Sequence, residues 1–235
     1  MNETQGQNQH QEKDIYINGS VAYVSQKAWI ESKSIKDNIL FYKDLDESLY
    51  KSSIESSALS QDLAEMIDGD RTILGDKGIN LSGGQKIRLS IARAVYADAD
   101  IYLLDDPISA LDIHVGKYVV EECLMGKLKG KTRVVATHAI GFLPYFDYIY
   151  ILEEGKIVDE GNYQYIKTTQ KYADIIEHCQ QNAEMKRNQS LEDELQHSKE
   201  SKRMADLESP VAPKKKSSSV QRGTNLMIET HISLK

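Results

Sequence analysis

Two short apolar runs with a helical stretch between them restrict the fold of this chain more than any other feature. Ile101 to Leu104 is continuously apolar, and Thr132 to Thr137 contains a second such run after the helically spaced apolar residues of His114 to Met125. Apolar runs of this length are typical of strands buried on both faces of a parallel sheet. Strands that alternate with helices require right-handed crossovers. The pattern predicts an α/β fold with a mostly parallel sheet.

Further elements are predicted along the first 180 residues by apolar periodicity and turn residues. A glutamate and a glycine, Glu154 and Gly155, indicate the turn of a hairpin. In chain order the additional elements are a strand at Val21 to Ser25, two short helices with charged outer faces between Asp46 and Ile67, a helix at Gly84 to Ala97, and the hairpin strands Tyr148 to Leu152 and Lys156 to Asp159.

The composition changes near residue 181. All 17 aromatic residues precede it, whereas residues 181–235 have none and carry 10 Lys and Arg against 8 Asp and Glu. Such a segment buries too little apolar surface to offset its ordering entropy. We therefore predict an irregular segment at 1–15, a folded domain at 16–180 and a disordered charged linker at 181–235. The run Lys214 to Ser219 fits a solvated spacer better than a kinase-regulated linker, which stays an alternative.

Charge and cysteine content exclude several classes of protein. The net charge is −7, from 29 Lys and Arg against 36 Asp and Glu, which argues against a nucleic-acid partner bound by phosphate neutralisation. Cys123 and Cys179 are far apart and lack metal-ligand spacing, so two reduced thiols are expected. The sequence has neither a long apolar run nor a secretory start, and the chain alone is predicted to be soluble.

The segment LSGGQ, from Leu81 to Gln85, precedes the helix that begins near Gly84. A serine and two glycines at a helix start leave backbone N–H groups unshielded, at the positive end of the helix dipole. This arrangement suits phosphate oxygens. The alternative is an ordinary helix cap, in which Ser82 caps and the glycines form the turn.

Acidic residues follow the strand Ile101 to Leu104. A carboxylate there lies at the carboxyl edge of the sheet, where open α/β sheets bind ligands. Asp105 is therefore predicted to hold magnesium beside a bound phosphate, and the alternative is a solvated turn. Three more polar sites accompany it: Gln26 after the strand YVS, the turn SALD from Ser109 to Asp112, and His138 after VVAT.

In this order and at these spacings, the residues resemble the ATP-binding cassette family of ATPases. Gln26 matches the glutamine loop of that family, LSGGQ its signature, Asp105 its magnesium aspartate, SALD its dimer-contact loop, and His138 its switch histidine. Four longer segments resemble the C subfamily, the multidrug-resistance-associated group, and especially its first nucleotide-binding domain. These segments are GSVAYVSQKAWI, SIKDNILF, GDKGINLSGGQKIRLSIARAVY and LLDDPISALD. The resemblance covers Ile17 to Tyr172.

The resemblance implies a P-loop NTPase-like cassette with a helical subdomain, which uses ATP and magnesium. It implies two cassettes that meet head to tail, so that the signature contacts ATP bound mainly by the partner domain. The residues expected to do so are Leu81, Ser82, Gly83, Gly84 and Gln85. The residues expected at the dimer seam are Ser109, Ala110, Leu111 and Asp112.

In an intact domain the resemblance also implies roles at the domain's own ATP. Gln26 is expected to sense magnesium and the attacking water, sharing the metal with Asp105, and His138 to contact the γ-phosphate. The implied partners are a second nucleotide-binding domain and the transmembrane domains of a transporter, which places the domain at the cytoplasmic face of a membrane. The implied function is the coupling of ATP binding and hydrolysis to transport.

The chain departs from the family pattern at two places. Residues 1–25 contain no GxxxxGK[S/T] loop and no aromatic matching the one that the family stacks on adenine, so the cassette is expected to be incomplete at its N-terminus and to begin inside a longer domain. Asp106 stands where competent members carry Glu. Its carboxylate is one methylene shorter, and misplacement by roughly 1 Å costs about 100-fold in rate, so the site is expected to be degenerate.

Three residues near these motifs receive weaker predictions. Trp29 follows the Gln26 strand where the coupling region of the family begins, but a core position is favoured for a single tryptophan. Arg88 and Arg93 lie on the signature helix, where solvated or dimer-facing positions are favoured over catalysis.

The leading hypothesis is a partial cassette of a C-subfamily transporter with the linker that follows it. A free, non-catalytic module that pairs with another cassette is a second hypothesis. A soluble cassette ATPase is a third hypothesis. It explains neither the segments that resemble the C subfamily nor the negative net charge of the folded domain.

From the missing phosphate loop we predict that this chain alone will not hydrolyse ATP. Phosphate release by the purified chain should stay at background, because no lysine and no nest of N–H groups holds the β- and γ-phosphates. A measurable rate that the substitution Asp105→Asn abolishes would contradict this prediction.

Overall fold

The computed structural model describes residues 16–181 and the backbone of Thr230–Leu234. Its centre is a six-stranded sheet in the order β1-β2-β3-β6-β4-β5. The strands are β1 Val21–Val24, β2 Ile101–Asp105, β3 Thr132–Ala136, β4 Tyr148–Glu153, β5 Lys156–Gly161 and β6 Thr230–Leu234. The helices are α1 Ile35–Leu40, α2 Glu47–Ser56, α3 Ser60–Glu65, α4 Gly83–Ala97, α5 Ile113–Tyr118 and α6 Tyr163–Ile166, and residues 170–181 are also helical.

Short polar side chains fix where most of these helices begin. In each case a side-chain oxygen of the residue before the helix accepts a backbone N–H of the first turn, which satisfies one of its unpaired donors. The capping residues are Ser34, Asp46, Ser82, Asp112 and Asn162. The predicted helices between Asp46 and Ile67 are confirmed as α2 and α3.

The first three strands form the parallel half of the sheet, as predicted. Val24 pairs with Leu104, and Asp105 pairs with Ala136. Because all three strands run in the same direction, their carboxyl ends lie along one edge of the sheet. This register brings the residues that follow each strand close together.

The other half of the sheet is antiparallel. The hairpin of β4 and β5 is as predicted, and β6 pairs with β3 on one side and with β4 on the other. Strand β6 lies in the segment for which composition predicts disorder, and the rest of that prediction lies outside the described residues. In the segment THISL, Thr230, Ile232 and Leu234 alternate with the polar residues His231 and Ser233, a strand signal that an average over the 55 residues of 181–235 conceals.

Helix α4 contributes to two apolar clusters. Ile87, Ile91 and Val95 pack with the sheet strands in the larger cluster. Leu89 and Tyr96 pack with α1 and α2 in the smaller cluster, which is the core of the helical subdomain. One helix therefore joins the sheet to the helical subdomain.

The helix predicted at His114 to Met125 is present but changes its winding. After α5, residues Val119–Lys127 continue as a π-helix. The carbonyl of Leu124 accepts a hydrogen bond from the guanidinium of Arg133 on β3. At the end of this segment the amide of Leu128 donates to the carbonyl of Cys123, five residues earlier, the hydrogen bond that defines the wider turn. In the described part of the chain, no helix combines the length and the apolarity needed to cross a bilayer.

Because β6 pairs with both β3 and β4, we predict that its backbone hydrogen bonds hold the two halves of the sheet together. The substitution Ile232→Pro should lower the melting temperature by about 4–8 °C and promote aggregation, because proline cannot donate to a ladder and an unpaired β3 edge is exposed. Thermal unfolding with light scattering measures both effects. Ile232→Val keeps the N–H group and serves as the control. Equal melting curves for the two variants would show that the backbone hydrogen bonds of β6 do not hold the two halves of the sheet together.

Candidate functional site

Three predicted site residues lie along the carboxyl edge of the parallel strands. Gln26 follows β1 by two residues, Asp105 ends β2, and His138 follows β3 by two residues. The strand register places these positions at neighbouring strand ends. Gln26 and His138 are exposed and Asp105 is half-buried. The fold therefore gathers at one edge the groups that the sequence predicted for a phosphate and metal site.

Asp105 is tied to its neighbouring strand. The hydroxyl of Tyr23 donates to Oδ2 of Asp105 over 3.4 Å. Desolvation, followed by the negative charge and the hydrogen bond of Asp105, raises the pKa of Tyr23. Oδ1 of Asp105 has no partner among the hydrogen bonds of the described residues, which leaves an oxygen at the sheet edge for a hard cation.

Asp106 occupies a constrained position next to Asp105. It is only 8% exposed, its backbone φ is +48°, and its amide donates to the carbonyl of Ala136 over 2.8 Å. The hydroxyl of Ser109 donates to Oδ2 over 2.7 Å, while Oδ1 is buried and has no partner in the described part of the chain. A buried carboxylate oxygen without a partner is costly. The carboxyl group is thus held by its own loop, and one of its oxygens is buried without a partner among the described residues.

The signature forms the first turn of α4. Ser82 Oγ accepts the amide of Gln85 over 3.2 Å, and Gln85 Oε1 accepts the amide of Ser82 over 2.9 Å. This reciprocal pair is a capping box. Leu81 is buried in the smaller core and anchors the turn, whereas Ser82 and Gly83 are exposed. The helix cap given above as the alternative is present at Ser82, and Gly83 stays exposed beside it.

The two signature glycines have different surroundings. A Cβ atom on Gly83 would meet no other atom within 4 Å, whereas one on Gly84 would lie 3.2 Å from the carbonyl oxygen of Ala110. The signature turn thus lies directly against the SALD loop. Both motifs predicted to face a partner domain are on one surface.

The last residue of the SALD loop also has a local role. Asp112 Oδ1 accepts the amides of His114 over 3.0 Å and Val115 over 3.1 Å. These backbone hydrogen bonds, with that of Val115 first, lower the pKa of the Asp112 carboxyl. The loop residues Ser109 and Ala110 are exposed beside it.

The oxygen donors at the strand ends suit magnesium rather than a metal held by side chains alone. Within residues 16–181, no three acidic, histidine or cysteine side chains come together as a metal cage, and Cys123 is buried while Cys179 is exposed. Magnesium commonly takes only one or two carboxylates and completes its shell with water and substrate phosphates. Asp105, with the amide oxygen of Gln26, fits that pattern when phosphate oxygens supply the remaining ligands.

The structure corrects the predictions for three residues around α4. Trp29 is 55% exposed, so a core position is wrong. Arg93 is mostly buried and donates to the carbonyl of Trp29 over 2.8 Å and to Oδ1 of Asn38 over 2.7 Å. Arg88 pairs with Asp62, and its side chain is only 13% exposed.

Sequence reasoning missed Asn38 and Asp62. Asn38 is fully buried, and Asp62 accepts hydrogen bonds from both Gln85 and Arg88. A polar residue on a short amphipathic helix resembles a solvated one in sequence. The contact partners lie 23 to 55 residues away, and no local pattern records them.

Comparison with known proteins identifies the family of this chain. The family model described as ABC transporter matches residues 2–109. Mouse ATP-binding cassette sub-family C member 2 is 54% identical over 151 residues, which cover 63% of this chain and 10% of the mouse protein. Human ATP-binding cassette sub-family C member 3 is 48% identical over 160 residues, which cover 67% of this chain and 10% of the human protein. The Dictyostelium discoideum ABC transporter C family member 8 is 47% identical over 168 residues, which cover 70% of this chain and 10% of that protein.

The fold, the site and these similarities define an ABC transporter cassette domain, the ATP-binding unit of such proteins. The chain belongs to the ABC transporter family, and the relatives described above are members of its C family. The chain spans about a tenth of the length of these curated relatives.

The contrast between the two glycines predicts different responses to the same substitution. Gly83→Ala should leave stability unchanged or raise it by up to about 1 kcal/mol, because alanine favours the helix and the site is open. Gly84→Ala should lose this gain and shift the NMR signals of Ala110 and Leu111, because its Cβ presses on the Ala110 carbonyl. Thermal unfolding and amide spectra compare the variants. Equal shifts in the SALD loop for both would contradict the close contact.

Proposed function

We propose that this chain is the first nucleotide-binding domain, in part, of an ATP-driven C-family transporter. Its main contribution is the signature, offered to ATP that a second cassette binds. The open N-terminal turn of α4, with Ser82 and Gly83 exposed beside the SALD loop, is the observation that carries this proposal.

The chemistry of this turn supports a phosphate ligand. The first N–H groups of a helix lack intrahelical acceptors, and α4 continues for 15 residues behind them. With no Cβ on Gly83, a phosphate oxygen can approach the backbone directly. The bonds would be charge-assisted and would exist only when the two domains close, so ATP would favour the closed pair.

The strand-end residues of this chain are poorly suited to hydrolyse ATP at its own site. The Asp106 carboxyl is short, buried and held by Ser109, so it is poorly placed to take a proton from an attacking water. Asp105 and Gln26 would share magnesium, and His138 is exposed at the same edge to reach a γ-phosphate. These features favour a domain that assists hydrolysis at the partner's site.

An exposed aromatic patch supports docking to the membrane domains. Trp29, Phe41 and Tyr42 form consecutive edge-on ring contacts, with centroids 5.7 Å and 5.3 Å apart. Phe41 and Tyr42 both have positive φ, which is strained for aromatic residues. The Arg93 guanidinium lies beneath Trp29 and Phe41, at 5.4 Å and 5.0 Å from the ring centroids. A strained, supported aromatic surface suits a packed partner.

A free module that pairs in trans with another cassette is the second candidate. Strand β6 favours it, because the chain fills the centre of its own sheet. The two candidates share the signature surface but differ in the size of the native protein. An immunoblot of source cells distinguishes them: a membrane band far above 26.6 kDa supports the transporter, and a soluble band near 26.6 kDa supports the free module.

The signature surface is tested with a charge. The substitution Gly83→Asp should weaken ATP-dependent association with the isolated second cassette of mouse sub-family C member 2 by about tenfold or more, because the carboxylate repels phosphate. An acid in the first helical turn suits the helix dipole, so the fold is kept. Analytical ultracentrifugation with and without ATP and magnesium measures the association.

The matched control is Gly141→Asp, which adds the same charge at an exposed, uncrowded position outside the signature. It should associate as the unmodified chain does. If the unmodified chain fails to associate in ATP, or if both variants are equally affected, the trans-acting signature is wrong.

A further inference from the structure

The carboxylate of Asp62 on α3 lies behind the signature turn and accepts hydrogen bonds from two residues of α4. The amide Nε2 of Gln85 donates to Oδ1 over 2.8 Å, and the guanidinium of Arg88 donates to both oxygens, over 3.1 Å to Oδ1. The side chains of Asp62 and Arg88 are only 14% and 13% exposed. These contacts are therefore largely shielded from water and from salt.

Asp62 determines which way the Gln85 amide points. A side-chain amide has a donor end and an acceptor end, whereas an ionised carboxylate only accepts. With Nε2 directed to Asp62, Oε1 must point the other way, and there it accepts the Ser82 amide over 2.9 Å. The second bond of the capping box thus depends on a residue 23 positions earlier in the chain.

Arg88 allows an acid to remain at this place. It neutralises the Asp62 charge close to where phosphate would bind, so that the carboxylate does not repel the ligand. Its guanidinium is fixed from the other side by the carbonyl of Ala58, and Nε lies 3.4 Å from the carbonyl of Gly84. Asp62 and Arg88 form a rigid support for the turn.

We propose that Asp62 is a positioning residue for the phosphate-binding turn, acting through the Gln85 amide to fix the backbone of Ser82, Gly83 and Gly84. Its use in binding a partner's ATP rests on the proposed function, but the positioning itself belongs to the isolated chain. A consequence is that any movement of α3 relative to α4 re-aims the signature donors, which connects the helical subdomain to the nucleotide.

A double-mutant cycle distinguishes two roles of Asp62: orienting the Gln85 side-chain amide, or only tethering α3 to α4. Gln85→Glu keeps an acceptor for the Ser82 amide but places a second carboxylate against Asp62. Asp62→Asn removes the repulsion, because its amide group can donate to the new glutamate. Asp62→Asn alone leaves one acceptor oxygen for the N–H groups of Gln85 and Arg88 and turns an NH2 group against them, so the Gln85 amide is no longer held in one orientation. Positioning through residue 85 therefore predicts that each single variant is impaired and that the pair is restored.

The readout is hydrogen exchange of the Ser82 amide, measured by NMR on the purified chain. Each single variant should accelerate this exchange about fivefold to tenfold, the equivalent of roughly 1 kcal/mol for one hydrogen bond. The double variant should return to within about twofold of the unmodified chain. Additive acceleration in the double variant, or no change in Asp62→Asn, would overturn the proposal.

Two controls identify a merely structural effect. The Met66 amide donates to the Asp62 carbonyl within α3, so its exchange reports the integrity of that helix and should stay constant. Gln61→Ala alters the exposed neighbour of Asp62, whose side-chain amide donates to Glu65 within α3, and should leave Ser82 exchange unchanged. If Met66 exchange and the melting temperature change together with Ser82, Asp62 is only a tether.

Association with the second cassette in ATP keeps the two proposals distinct. If Ser82 exchange responds as expected but the unmodified chain does not associate, positioning stands and the proposed function fails. If the chain associates in ATP and Asp62→Asn leaves both Ser82 exchange and association unchanged, the proposed function stands and positioning fails.

Discussion

The burial of helix α4 on two faces is the constraint on which the rest of the structure depends. One face packs Ile91 and Val95 against the sheet, and the other packs Leu89 and Tyr96 against the helical subdomain. A surface helix usually buries a single stripe, and burial on two sides leaves α4 little freedom to shift. Its N-terminal turn, which carries the signature, is therefore held in a fixed position relative to the sheet edge that carries Asp105. The packing of α4 therefore sets the relative position of the signature turn and of the strand-end residues.

Two half-buried arginines connect α4 to residues at the surface. Arg93 joins the helix to Asn38 and lies under the aromatic patch, and burial lowers its pKa while the nearby Glu31 charge opposes that shift. Arg88 joins the helix to Asp62 behind the signature. Losing one partner of such a buried contact costs more than an exposed ion pair contributes. The same helix thus contacts the surface proposed for the membrane domains and the surface proposed for a partner's ATP.

Much of the sheet and of the site could be predicted from sequence, because the signals are local. Apolar runs identified β2 and β3, and the residues following the strands could be assigned to one edge once the strands were parallel. A serine before two glycines allows a cap at Ser82, the alternative to a phosphate site, and the structure contains that cap. Prediction failed where the deciding contact was distant. A core position is predicted for Trp29 because tryptophan is usually well buried, but Trp29 lies at the surface, where Arg93 of α4 contacts its ring and its carbonyl.

The sequence by itself determined the order of elements, the positions of their caps and the chemical groups at the strand ends, since these depend on neighbours a few residues apart. Only the tertiary structure decided three further features. It placed β6 between β3 and β4, directed the Gln85 amide through Asp62, and buried Asp106 with one oxygen lacking a partner in the described residues. Each of these depends on groups that are remote in the chain and meet only after packing, where burial makes an unmatched polar atom or an unpaired strand edge costly.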